Sequence, residues 1–114
     1  MQLITDAIRA VLLANGERFA EDPGFDPQPV VKLFTPDGGA TWLLASLDPE
    51  DSDIAFGLCD LGLGFPELGT VSLAEIQEVR GVLGLPVERD RFFAADRPLS
   101  RYASEASALG GIRA

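Results

Sequence analysis

The sequence predicts an α+β domain, a mainly antiparallel sheet of about four to five strands with two to three helices. Three observations carry that prediction. Two β-rich runs, Val30 to Thr35 and Thr41 to Leu47, flank Pro36-Asp37-Gly38-Gly39-Ala40, whose proline, aspartate and paired glycines argue for a hairpin. A third run, Ile54 to Cys59, alternates large and small residues as a central strand does. Helical spacing appears before these runs, at Ile8, Val11 and Leu12, and again after Ser72. The 114 residues fit one domain, placed at 1–109 with a flexible tail over 110–114. Leu, Ile, Val and Phe fill 35 positions, enough to build a core and to argue against disorder.

Each element has a local reason. Thr5 or Asp6 caps the first helix, and Asn15-Gly16 reads as its stop, because glycine accepts the left-handed conformation past a helix end. Residues 17–29 then read as irregular, broken by Pro23, Pro27 and Pro29 and pinned to the core by Phe19 and Phe25. In the hairpin Val31 and Leu33 share a face, as do Leu43, Ala45 and Leu47 opposite Trp42, Leu44 and Ser46. Both faces are apolar, so each needs a cover. On the third strand Ile54, Phe56 and Leu58 oppose the small residues Ala55, Gly57 and Cys59, where a helix is expected to lie close. Residues 61–66 break the pattern, and a fourth strand over Glu67 to Val71 leads into a helix. Its start, Ser72-Leu73-Ala74-Glu75, matches the capping box, with Ile76, Val79 and Leu83 as its buried stripe. Val87 to Phe93 reads as a fifth strand. Pro98 opens a last helix carrying Leu99, Tyr102 and Ala106.

Composition excludes more chemistry than it offers. There is no histidine, which removes the commonest general base and metal ligand, and one cysteine forms neither an internal disulfide nor a zinc site. No apolar run approaches the roughly 20 residues that span a bilayer. The N-terminus lacks a basic signal region, and a lone thiol agrees with a reducing compartment, so a cytoplasmic, non-membrane protein is expected. Gly62-Leu63-Gly64 starts like a dinucleotide fingerprint, but Glu67 stands where the third glycine belongs and Pro66 where the helix should open. Asp48, Glu50, Asp51 and Asp53 superficially suggest a calcium loop. Counting from Asp48, however, Asp53 occupies the glycine position and Cys59 that of the closing glutamate. Cys59 reads as an inert buried thiol, and Lys32, the sole lysine, as a surface residue. No catalytic residue, metal site or cofactor is expected.

Charge is the informative quantity. The net charge is −9, with 18 acids against 9 bases, which argues against a general binder of phosphate backbones. Residues 1–78 hold 14 acids and 3 bases, or −11, while residues 79–114 hold 4 acids and 6 bases, or +2. Such a polar molecule can steer toward a partner with a basic groove.

The stretch from Pro29 to Leu44, then Asp48-Pro-Glu-Asp, then Ile54 to Gly69, resembles a family of small bacterial proteins known only as a domain of unknown function. The likeness continues through Val71-Ser-Leu-Ala-Glu-Ile and Leu85-Pro-Val-Glu-Arg-Asp and covers most of residues 1–103. What it implies is carriage on plasmids, integrative elements and phages, with no catalytic residues to transfer. An acidic accessory of a mobile element is expected to be a non-enzymatic inhibitor of host defence, anti-CRISPR or anti-restriction. Its clustered carboxylates would imitate the phosphate array that a nuclease or CRISPR effector component grips. The contact residues expected on this reading are Asp48, Glu50, Asp51 and Asp53, with Asp37 and Asp60, and no direct nucleic-acid contact. The alternative is a plasmid or phage DNA-processing accessory touching DNA through Arg89, Arg91 and Arg97. A metal-dependent hydrolase using scattered carboxylates is a third possibility. Trp42 and Phe65 are open between core and contact roles.

Overall fold

The computed structural model describes residues 2–114. The chain runs α1 (Asp6–Glu21), β1 (Val31–Phe34), β2 (Thr41–Asp48), β3 (Asp51–Asp60), β4 (Glu67–Ser72), α2 (Leu73–Glu78), β5 (Glu88–Arg89) and α3 (Leu99–Leu109). The five strands form one antiparallel sheet in the order β4-β3-β2-β1-β5. The expected class, element order and hairpin are therefore present, and the fifth strand shrinks to two residues.

Both sheet faces are covered, as their apolar character demanded. On one face Val31, Leu33, Trp42, Leu44, Leu47 and Ala55 pack with Leu12 of α1 and with Leu73 and Ile76 of α2. On the other, Leu43, Ala45 and Leu58 pack with Leu99, Tyr102 and Ala106 of α3. The side chains of Leu12, Leu33, Leu43, Leu44, Leu47 and Leu58 are the largest fully buried ones. Each is worth roughly 1.5–3 kcal/mol relative to exposure. Trp42 belongs to the core, whereas Phe65 is exposed.

β2 carries an irregularity that strict alternation does not anticipate. Leu44 pairs with Gly57 but Ser46 with Phe56, leaving Ala45 as an extra residue. The bulge turns Leu47 onto the face of Trp42 and Leu44 rather than that of Leu43 and Ala45. Beside the bulge, Gly57 has no room for a side chain, since a Cβ there would stand 2.1 Å from the Leu43 carbonyl oxygen.

α1 corrects the sequence reading most. Thr5 caps it, its hydroxyl accepting from the Ile8 amide at 3.2 Å, but the helix runs past Asn15-Gly16 to Glu21. These two residues serve the sheet instead. The Asn15 amide donates to the carbonyl of the bulged Ala45 at 2.9 Å. Gly16 lets the helix backbone lie on β2, where a Cβ would meet the Leu47 carbonyl oxygen at 1.8 Å. The second half of α1 thereby reaches the other face, where the Phe19 and Phe56 ring centres lie 5.7 Å apart.

α2 begins at the expected cap, with the Ser72 hydroxyl accepting from the Glu75 amide at 3.2 Å. It ends at Glu78, so Leu83 joins an exposed loop rather than a buried stripe. The residues expected as a tail lie back on the sheet. Gly110 turns α3 off at φ 75°, the Ile112 amide donates to Asp60 at 3.0 Å, and Lys32 donates to the Ala114 carbonyl at 2.7 Å.

Candidate functional site

The six carboxylates singled out by sequence divide into two kinds. Three are occupied within the fold. Asp37 Oδ2 accepts from the amides of Leu83 and Leu85 at 2.7 and 3.2 Å and so holds the loop after α2. Gly81 lies so close beneath this carboxylate that a Cβ there would clash with it. Asp53 accepts from the Ser72 hydroxyl and, at 2.9 Å, from the Ala74 amide, clamping the start of α2 to β3. Those two bonds, the Ser72 one foremost, hold its pKa below the ordinary aspartate value. Asp60 is buried and accepts from the amides of Gly62 and Ile112 at 2.8 and 3.0 Å. Asp60 and Asp53 each use both carboxylate oxygens inside the fold. Asp37 uses Oδ2 alone, and its Oδ1 is buried without a hydrogen-bond partner. None of the three therefore presents a free oxygen to a partner at the surface as the turn does.

The other three form the β2–β3 turn and face solvent. Asp48 and Asp51 each accept a bond from the amide two residues ahead, on Glu50 at 2.8 Å and Asp53 at 3.1 Å. These bonds order the turn while leaving Asp48, Glu50 and Asp51 exposed. Beside the turn lies an open apolar hollow of about 270 Å³, lined by Phe19, Asp48, Pro49, Ile54, Phe56 and Thr70 among others. Gly16 and Ala20 of α1 complete its wall. Glu17 and Glu21, next to them in the chain, are exposed and one helical turn apart. The sequence reading missed these two acids because it ended the helix at Gly16. Helical spacing carried through to residue 21 would have found them.

The arginines are mostly committed to the fold. Arg89 donates to the Leu3 carbonyl at 3.0 Å and to that of Gln2, tying the N-terminal segment to β5. Arg97 pairs with Asp96 and with Glu105 and lies over the Tyr102 ring at 3.8 Å. Arg80 donates to the carbonyls of Gln77 and Val79, both at 2.9 Å. Of the Arg89, Arg91 and Arg97 set, Arg91 alone is exposed. Lys32 is paired with Asp90 at 3.5 Å. Cys59 is half-buried against the Trp42 face of the sheet, and burial pushes its thiol pKa up, away from the reactive thiolate.

A larger open groove of about 610 Å³ lies between the N-terminal segment and α2, lined by Gln2, Arg9, Gln77 and Glu88 among others. Among the described residues no group of three or more Cys, Asp or Glu is arranged to hold a metal ion. No helix among them is long and apolar enough to cross a membrane.

Fold and site define a small three-layer antiparallel α+β domain, in which buried or bonded carboxylates act as clasps and an exposed acidic turn borders an apolar hollow. The chain belongs to the DUF2958 family of proteins of unknown function, which it matches over residues 3–113. No curated protein and no solved structure matches it.

Proposed function

We propose that this protein is a non-enzymatic binding domain whose acidic turn occupies a basic, nucleic-acid-gripping groove on a protein target. The observation that carries the reading is the pairing of two features at one end of the sheet. Three ordered, exposed carboxylates, Asp48, Glu50 and Asp51, stand beside an unfilled apolar hollow. That pairing suits lysine and arginine side chains, whose aliphatic stems pack on Phe19, Ile54 and Phe56 while their cationic heads meet the turn. Glu17 and Glu21 extend the negative surface along α1. The role of Asp37, Asp53 and Asp60 in this reading is to hold the scaffold rather than to touch the partner. A mobile-element accessory with this surface would act on host defence, as an anti-CRISPR or anti-restriction inhibitor. The commitment of Arg89 and Arg97 to internal bonds weighs against direct DNA contact as the alternative.

The test is competition. Immobilised protein captures its target from host lysate, and the captured target is then offered labelled duplex DNA or guide RNA. The reading expects a target with a basic groove that releases nucleic acid when this protein is added. A target that keeps its nucleic acid undisturbed overturns it.

A further inference from the structure

At the opposite end of the sheet from the acidic turn, Phe34, Thr41, Asp60, Glu67 and Glu88 form the last row of paired residues. Beyond that row three loops and the end of α3 come together. Gly39 of the hairpin tip lies against Gly62, so close that a Cβ on Gly62 would meet the Gly39 carbonyl at 3.0 Å. Asp37, in the same tip, holds the 81–85 loop through its amides. Gly110, past the end of α3, approaches the Gly64 carbonyl. The glycines at 62, 64 and 84 all have positive φ, which fixes the loop shapes that push their neighbours outward.

What these loops present is apolar and uncharged. Leu61, Leu63, Phe65, Val82, Leu83 and Leu109 each expose between 59% and 89% of their surface. Residues 61–66, 81–86 and 108–112 contain no charged side chain. Leucine and valine fall near the low end of the roughly 150–250 Å² that an aromatic side chain offers, so at these exposures the six present at most on the order of 700 Å². A standard stable interface needs about 800 Å² from each partner.

We infer that this end is the contact by which two copies of the chain associate. A second copy fits on two counts. The exposed area is close to one partner's share of a standard two-fold interface, which pairs the same patch with itself. The charge arrangement also favours self-association, since the patch is neutral and the acidic turn lies a full strand away. β3 has ten residues, so the turn is about 30 Å distant at roughly 3.3 Å per residue, beyond the Debye length of about 8 Å. End-to-end pairing would place the two acidic turns at the far tips and make the protein bivalent.

The experiment is sedimentation equilibrium on the full chain from micromolar to about 100 μM, at low and high salt. The expected result is a particle of twice 12.1 kDa whose association strengthens with salt, because screening relieves the repulsion between two −9 chains. Phe65→Glu and Val82→Glu each change an exposed side chain, so each variant should keep the parent's circular dichroism while sedimenting as a 12.1 kDa monomer. A wild-type monomer throughout that range assigns the patch to a different partner and overturns the inference, as does a Phe65→Glu/Val82→Glu variant that still dimerises. Target binding through the acidic turn weakens with salt, so the two proposals fail or stand separately.

Discussion

Gly16→Ala is the substitution for which the structure and a helix-propensity argument disagree most. Alanine is better than glycine in a helix interior by about 0.8–1 kcal/mol, and Gly16 lies well inside α1, so propensity alone predicts stabilisation. The packing predicts the reverse. A Cβ at position 16 would stand 1.8 Å from the Leu47 carbonyl oxygen, against an ordinary C···O contact of about 3.4 Å. One side must therefore recede by roughly 1.6 Å, and Leu47 is held in the sheet beside the bulge. Overpacking of this kind costs about 1–3 kcal/mol. Lifting α1 also loosens the contacts of Leu12, where a gap of about 0.5–1 Å forfeits a quarter to a half of each attraction. It strains the Asn15 bond to Ala45 as well. A displacement this large sits in the upper half of that range, so after the propensity gain of about 1 kcal/mol is subtracted the net loss is about 1–2 kcal/mol, or a Tm lower by about 5–10 °C. Urea unfolding followed by circular dichroism measures it. Ala14→Gly, at an exposed position on the same helix, is the control and should cost about 1 kcal/mol. If Gly16→Ala is as stable as the parent or more so, the close approach of α1 to β2 is refuted.

Other predictions concern the internal carboxylates and the thiol. Asp53→Asn should destabilise the protein at neutral pH by weakening the start of α2. The pKa of Asp53 is lower folded than unfolded, so its contribution is full above the unfolded value near 3.8 and is lost as pH falls through the folded one. The stability gap between parent and Asp53→Asn, measured by urea titrations from neutral pH into acid, should therefore close on acidification. A gap that widens would contradict the assignment. Asp60→Ala leaves the Gly62 and Ile112 amides without their acceptor and should cost about 1–3 kcal/mol, with faster hydrogen exchange at Ile112. Cys59 should alkylate slowly in the native protein at pH 8 and rapidly in urea, as its raised pKa and partial burial require. Mass spectrometry at timed intervals reads this directly.

The parts of the fold legible in the sequence are those whose cause is local. The hairpin follows from Pro36-Asp37-Gly38-Gly39 and its flanking strands, and the start of α2 from a four-residue cap. The parts that were not legible have distant causes. Asn15-Gly16 carries the composition of a helix end, yet both residues answer to β2, thirty positions away. The bulge at Ala45 leaves no mark on the alternation, so the face of Leu47 was misassigned. The carboxylates pose the same difficulty. Asp53 and Asp51 look alike in the acidic run, but only the partners of Asp53 on β4 and α2 make it a clasp. The apolar end was hidden for a different reason. Gly62, Gly64 and Gly84 signal broken structure, and a broken loop says nothing about whether its leucines point inward or out.

The binding role of the turn is best tested by reversing its charge while leaving the clasp at Asp53 untouched. Asp48→Asn/Glu50→Lys/Asp51→Asn takes the turn from −3 to +1, keeps an oxygen acceptor for the Glu50 and Asp53 amides, and should fold normally. Close charge pairs across an interface are worth about 1.5 kcal/mol or more each, so affinity for the captured target should fall at least about 100-fold. Titration calorimetry of parent and variant against that target gives the ratio. An affinity that survives the reversal unchanged would contradict the acidic turn as the binding site.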